Sequence, residues 1–121
     1  MTVEVGELGS RFSLKLIDWP LAASDTGVAQ VPLDAGLLIP PLVLRNWRPG
    51  DAYRPAGHHR VYKLKELLYR AKVEVEQRAA WPVLVSAGRV VWARGFPPAA
   101  ECAASDHTRA GLLIAEERIE G

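Results

Sequence analysis

The 121-residue sequence contains a single cysteine, Cys102. One cysteine cannot form an intramolecular disulfide or a cysteine-based zinc site, and this scarcity favours a reducing, cytoplasmic environment. The opening residues, MTVEVGELGS, are acidic and polar and do not have the character of a secretion signal. The uncharged run Ala35–Leu44 is interrupted by Pro40 and Pro41, and it is far too short to cross a bilayer. We therefore expect a cytoplasmic protein that makes no contact with a membrane.

Loops that bind nucleotide phosphates are also missing. The sequence contains neither G-x-x-x-x-G-K-[ST] nor G-x-G-x-x-G, and it lacks the Ser-Gly-Gly-x-Asp-Ser pyrophosphate loop of adenylating ligases. We therefore expect no ATP site and no cofactor in this chain. The composition, 49% hydrophobic and 24% charged, is typical of a globular protein, and residues 1–121 are expected to form one domain.

The net charge is only +1, but the charges are unevenly distributed. Residues 45–72 contain eight basic and two acidic side chains, a net charge of +6, whereas residues 1–44 and 73–121 carry −3 and −2. Three aromatic residues lie among the cations of this basic segment: Trp47, Tyr53 and Tyr62. Because arginine and lysine contacts to phosphate dominate nucleic-acid affinity, the pattern favours a polyanionic partner, although solvated basic surfaces are also common.

Two groups of residues could carry other chemistry. His58 and His59 could bind a metal, form a polar loop tip or face a phosphate backbone. No carboxylate or cysteine lies at ligand spacing from them, so we expect no metal site. Cys102 could act as a nucleophile with His107 and Asp106, but a small, partly buried thiol is the commoner role. We therefore expect no catalytic residues.

Several residues of the basic segment have structural explanations. Asp51 follows Gly50 in a turn and is expected to accept hydrogen bonds from nearby backbone N–H groups. Glu66 is expected to be a solvated helix residue or the partner of Arg70, one helical turn later. Trp47 lies between two arginines, a setting that suits RNA contact, but we expect it to have a packing role.

Hydrophobic periodicity predicts short strands and one main helix. Apolar residues recur at helical spacing from Leu64 to Ala71, so an amphipathic helix is predicted over about residues 62–71, followed by a helical turn over Glu74–Ala80. The predicted strands are Phe12–Ile17, Val28–Val31, Leu42–Arg45, the hairpin Pro82–Ser86 with Arg89–Ala93, and Thr108–Ala115, the last as a strand or a short helix. These elements indicate an α+β, β-rich fold with a sandwich- or barrel-like arrangement of strands and a frayed tail over 116–121.

The order of residues in the basic segment resembles a known family. Residues 44–57, LRNWRPGDAYRPAG, resemble the R-x-W-x-x-G-D-x-[FY]-x-P-x-G stretch of the C-terminal domain of tRNA(Ile)-lysidine synthetase. Residues 62–68, YKLKELL, resemble the helix start K-K-L-x-[DE]-[LF]-[FL] of that family, except that Tyr62 replaces its first lysine. Further matches are AKV at 71–73, Arg78, WPVL at 81–84, Gly88 and VWARG at 91–95. The signature covers residues 42–96, and the tail after Gly95 is less similar.

The resemblance implies a non-catalytic, RNA-contacting domain of an ATP-dependent ligase that converts the wobble cytidine of an isoleucine tRNA into lysidine. In that family an N-terminal catalytic domain uses ATP and lysine, and the C-terminal domain is implied to bind the tRNA acceptor stem. The residues implied to contact RNA are Arg45, Arg48, Arg54, His58, His59, Arg60, Lys63 and Lys65. The residues implied to shape the domain are Trp47, Gly50, Asp51, Pro55, Gly57, Leu64, Trp92 and Gly95.

A second interpretation stays open. The apolar run Gly36–Leu44 could supply a surface that packs on the catalytic domain of the same enzyme, which would make this chain a structural or protein-interaction module.

Overall fold

The computed structural model describes residues 2–5, 10–18, 32–105 and 107–118. The predicted strand Val28–Val31 lies outside the described residues, as does Asp106, the third member of the hypothetical nucleophile group. In the described part of the chain, no helix is long and apolar enough to cross a membrane.

The first sheet is antiparallel and joins the two ends of the chain. It contains β1 (Thr2–Val5), β2 (Ser10–Asp18), β3 (Leu33–Asp34) and β9 (Ala110–Arg118), in the order β1-β2-β9-β3. The pairing of β2 with β9 runs from Ser10 opposite Arg118 to Asp18 opposite Ala110. The prediction of a frayed tail from residue 116 was therefore wrong for 116–118, because these residues pair with the first three residues of β2.

The second sheet contains the predicted hairpin. Its strands are β4 (Leu42–Asn46), β7 (Pro82–Ser86) and β8 (Arg89–Ala93), in the order β4-β7-β8. The linking residues Ala87 and Gly88 have φ angles of 48° and 83°, as a type I′ turn requires. The hairpin prediction is confirmed at both strand boundaries.

The third sheet is a two-stranded ribbon that leads into the main helix. Its strands are β5 (Ala52–Tyr53) and β6 (Tyr62–Lys63), followed by α1 (Leu64–Arg70) and α2 (Val75–Arg78). The main helix begins two residues later than predicted, because Tyr62 and Lys63 pair with β5 instead. It ends at Arg70. Ala71, which was predicted to lie on the apolar face of the helix, follows the last helical residue and is exposed. The strand-rich fold with one main helix is confirmed, and its three sheets are open.

One hydrophobic cluster connects the three sheets and the main helix. It includes Leu33 and Leu112 from the first sheet, Leu84 from the second, Tyr53 from the ribbon and Leu64 from α1. Each of these side chains is at most 7% exposed. The ribbon is therefore held on the core at both β5 and the start of α1, which gives its connecting loop a rigid base.

Candidate nucleic-acid interface

Asp51 organises the turn between β4 and β5. Its carboxylate accepts two hydrogen bonds from the Arg45 guanidinium, at 2.8 and 2.9 Å, and one from the backbone N–H of Arg48 at 2.7 Å. Its carbonyl accepts a hydrogen bond from the backbone N–H of Leu64 at 2.9 Å. The predicted bonding of Asp51 to nearby backbone N–H groups is confirmed, and the bond from Leu64 ties the turn to the first residue of α1.

The environment of Asp51 favours its ionised form. Partial burial acts to raise the pKa of Asp51, but hydrogen bonds from Arg45 and Arg48, together with the charges of both, outweigh burial and lower that pKa. The side chains of Arg45 and Asp51 are only 15% and 12% exposed. Because its charge is compensated inside the turn, Arg45 has the geometry of a structural residue, whereas the family resemblance implied RNA contact.

Two glycines and a proline shape the chain around β5. Gly50 and Gly57 have φ angles of +95° and +86°, a region that side chains with a Cβ rarely adopt. Pro55 is fully buried and forms a β-bridge with Ala99. These positions have the geometry expected of residues that determine the path of a loop.

The segment 97–100 holds the loop that connects β5 and β6. The backbone N–H of Ala56 donates to the carbonyl of Pro98, and the N–H of Ala100 donates to the carbonyl of Arg54, both at 2.8 Å. Sequence reasoning missed this support, because 97–100 lie in the tail that departs from the family pattern. These hydrogen bonds join backbone atoms of distant segments, so the side chains in the sequence contain no signal that predicts them.

Most of the predicted RNA-contacting residues lie on or beside the β5–β6 ribbon. Four lie in the loop that connects its strands, one lies at the end of β6, one lies in the first turn of α1, and one lies in the turn before β5. All seven are exposed: Arg54, His58, His59 and Arg60 in the loop, Lys63 in β6, Lys65 in α1 and Arg48 before β5. The fold thus brings together, on and beside one short ribbon, five arginine and lysine side chains and two histidines that are spread over 18 residues of sequence.

The three tryptophans in the described part of the chain have packing environments. The half-buried Trp47 donates a hydrogen bond from its indole Nε1 to the carbonyl of Arg78. Trp81 donates in the same way to the carbonyl of Arg94, at 3.0 Å. Trp92 is half-buried and packs against the hydrophobic cluster. Gly95, with φ of +80°, turns the chain after β8, and a Cβ at this position would lie 3.8 Å from the Trp81 ring.

Glu66 binds two arginines at the exposed side of the ribbon. Its carboxylate accepts hydrogen bonds from Arg60 at 2.9 and 3.4 Å, and it lies 3.6 Å from the Arg70 guanidinium. The predicted pairing of Glu66 with Arg70 is confirmed. The hydrogen bond from Arg60, assisted by the charges of both arginines, lowers the pKa of Glu66.

The sequence also raised a metal site at His58 and His59 and a thiol nucleophile at Cys102. No group of three or more His, Cys, Asp or Glu side chains that could hold a metal occurs within the described ranges. Burial, followed by the charges of Glu101 and Asp34, raises the pKa of the Cys102 thiol. A raised pKa disfavours the thiolate that a nucleophile requires.

The chain is similar to proteins named tRNA(Ile)-lysidine synthase. It is 35% identical over 113 residues to the protein of Solibacter usitatus, a match that covers 93% of this chain and 25% of the relative. It is 44% identical over 63 residues to the protein of Symbiobacterium thermophilum, covering 52% of this chain and 13% of the relative. The chain therefore spans about a quarter or less of the length of these relatives.

Structure and family comparison agree with this similarity. A crystal structure of the TilS C-terminal domain matches the fold with a TM-score of 0.72 at 23% sequence identity, covering 93% of this chain and 87% of that chain. Residues 42–114 match the family described as the TilS substrate C-terminal domain, a range that contains the ribbon, α1 and the supporting segment 97–100. The chain therefore belongs to the TilS substrate C-terminal domain family.

Proposed function

We propose that this chain is the non-catalytic tRNA-binding domain of a tRNA(Ile)-lysidine synthase. The observation that carries the proposal is the concentration of exposed cations on a ribbon that is anchored to the core at both strands. Duplex RNA is recognised mostly through its shape and its backbone, so cations presented on a rigid element suit an acceptor stem. The names of the relatives support tRNA as the polyanion.

The proposal assigns binding to this chain and chemistry to another domain. A separate catalytic domain of the cytoplasmic enzyme would use ATP and lysine to modify the wobble cytidine of tRNA(Ile). The exposed basic side chains would contact phosphate and sugar groups of the acceptor stem, which determine position and affinity.

Binding of tRNA(Ile) is expected to weaken as salt rises, and the double variant Lys63→Ala/Lys65→Ala should reduce both affinity and salt dependence. Loss of two phosphate contacts is expected to lower affinity about tenfold at low salt and to reduce the slope of log K against log salt by about 2. Fluorescence anisotropy with labelled tRNA, repeated over a salt series, measures both quantities.

The matched control is Lys15→Ala, which removes an exposed lysine from β2, outside the basic segment. Its affinity and salt slope should equal those of the unchanged protein. Equal affinity at low and moderate salt, or an unchanged slope in the double variant, would refute the tRNA-binding proposal.

A second candidate function has its own observation. Four apolar side chains from the run Gly36–Leu44 are well exposed: Leu37 by 50%, Ile39 by 61%, Leu42 by 40% and Val43 by 43%. Clusters of exposed apolar side chains are typical of protein contacts. We infer that this surface packs on the catalytic domain of the same enzyme, since the relatives contain far more chain than the matched region.

The double variant Ile39→Asp/Leu42→Asp is expected to weaken association with a tRNA(Ile)-lysidine synthase catalytic domain, supplied as a separate polypeptide, by at least about tenfold. Two charges would have to be desolvated in the contact, and each unpaired charge costs several kcal/mol. Calorimetric titration measures the association. Val75→Asp, at a side chain that is 74% exposed on α2, is the control and should leave it unchanged. Absence of association with the unchanged chain would exclude this function.

A further inference from the structure

Arg60 is held in one orientation although it lies on the surface. Its guanidinium carbon lies 3.8 Å from the centroid of the Tyr62 ring, so the cation covers the ring. One edge of the guanidinium binds Glu66 through two hydrogen bonds, and its Nη1 also donates to the Val61 carbonyl at 3.3 Å. The Tyr62 ring below the guanidinium and the Glu66 carboxylate at its edge together restrain the tilt and the rotation of the guanidinium.

The restrained guanidinium still has a large accessible surface. The Arg60 side chain is 53% exposed, and the Tyr62 ring covers only one of its two faces. About half of the Arg60 side chain therefore stays open to a ligand while Tyr62 lies on one side of the guanidinium. His58 contacts the Tyr62 ring edge-on, with centroids 5.4 Å apart, so that a second aromatic group supports the ring on which Arg60 stacks.

The charges around Arg60 reduce its attraction for a phosphate group. Glu66 compensates Arg60 directly, and the charges of Arg60, Glu66 and Arg70 sum to only +1. A phosphate placed on Arg60 would also approach the Glu66 carboxylate and be repelled by it, since like charges a few ångströms apart oppose each other. A flat, neutral ring has no such penalty, and arginine planes commonly stack on unpaired bases.

We propose that the Arg60–Tyr62 stack is a platform for an unpaired nucleobase of the bound RNA. This inference rests on the proposed tRNA-binding function and gives Arg60 a different role from the lysines of the ribbon. Lys63 and Lys65 contact the backbone of the duplex, while Arg60 stacks on one base outside it. Glu66 acts as a positioning residue that keeps the guanidinium over the Tyr62 ring.

The test uses two RNA hairpins with the same stem, one blunt and one with a single unpaired purine at its 3′ end. The complete 121-residue chain is expected to bind the extended hairpin about tenfold more tightly, the effect of one stacked base. Arg60→Lys keeps the charge but removes the plane, so the ratio of the two affinities should fall to about one while blunt-hairpin affinity is retained. Replacing the purine with 2-aminopurine gives a second readout, because stacking on the unchanged protein should quench its fluorescence.

Arg89→Lys is the matched control, because it makes the same change at an exposed arginine of β8, outside the basic segment, that forms no aromatic stack in the described part of the chain. It should retain both the affinity ratio and the quenching. The platform would be overturned if the unchanged protein bound the extended and the blunt hairpin equally well, or if Arg60→Lys kept the full preference for the extended hairpin. The tRNA-binding proposal would stay intact in either case, provided that the blunt hairpin still binds. Failure to bind either hairpin would overturn the proposed function and this inference with it. Circular dichroism of each variant separates these outcomes from misfolding.

Discussion

Replacing Asp51 with alanine is expected to lower the free energy of unfolding by about 3 kcal/mol. The change removes the acceptor of three hydrogen bonds, among them both bonds from the Arg45 guanidinium to the Asp51 carboxylate, and the Arg45 side chain is only 15% exposed. It also loosens the turn whose backbone is bonded to Leu64 at the start of α1. Urea denaturation followed by tryptophan fluorescence measures the loss.

A second substitution tests the cause of this loss. If the cost comes mainly from the lost pairing of the Arg45 charge with Asp51, Arg45→Met in the Asp51→Ala background should restore part of the stability, since an apolar side chain needs no charged partner. A double variant no more stable than Asp51→Ala would show that the ion pair is not the cause. Asp51→Asn, which keeps the shape but not the charge, should lie between the unchanged protein and Asp51→Ala.

The pH dependence of the stability lost in Asp51→Ala provides a further test of this explanation. The pKa of Asp51 is lower in the folded chain than in the unfolded chain, where it is about 3.9. Its stabilising contribution is therefore complete above that pH and is lost as the pH falls through the folded value. The stability difference between the unchanged protein and Asp51→Ala should be constant near neutrality and shrink below about pH 4. A difference that is the same at pH 7 and at pH 3 would contradict the role of the ionised carboxylate.

Replacing Leu64 with alanine is expected to lower the free energy of unfolding by about 3 kcal/mol through a different mechanism. The Leu64 side chain is fully buried in the cluster that joins the ribbon, α1 and the sheets, so its truncation leaves a cavity where the ribbon meets the core. Because the side chain is not on the surface, the tRNA affinity of the folded variant should be unchanged. On the same preparation, urea denaturation measures the free energy of unfolding and fluorescence anisotropy measures the tRNA affinity.

Val61→Ala is the control for this substitution, because Val61 lies three residues earlier and is 58% exposed. It should change stability by no more than about 0.5 kcal/mol. A cost below about 1 kcal/mol for Leu64→Ala would mean that the core can collapse around the missing side chain, and that the ribbon is less firmly anchored than the packing indicates.

Local sequence predicted those features whose causes are local. The hairpin of β7 and β8 was placed correctly because two apolar runs flank a two-residue turn containing Gly88. The helix was recognised by the spacing of Leu64, Leu67 and Leu68, all of which are buried. The bonding of Asp51 to a nearby N–H group was also predicted, since it depends on a turn of a few residues. The family followed from the order of residues within one segment.

Tertiary structure decided the features that depend on distant partners. Tyr62 and Lys63 became a strand because β5 pairs with them, although their sequence is compatible with a helix. Residues 116–118 became part of a strand because β2 lies beside them. The loop of the ribbon is supported by the segment 97–100, whose contribution is made by backbone atoms that every residue possesses. Periodicity and composition contain no information about such partners.

The pairing of two arginines in the basic segment was likewise decided by their neighbours in space. The sequence identified a basic segment and named Arg45 and Arg60 among equivalent phosphate contacts. The fold places a carboxylate against each of them, Asp51 in a half-buried turn and Glu66 on the surface. The Arg45 charge is compensated inside the turn, and the Arg60 guanidinium lies over the Tyr62 ring. The sequence by itself determined that this segment is basic and which family it belongs to; only the tertiary structure determined which charges are compensated, because compensation depends on distance and burial.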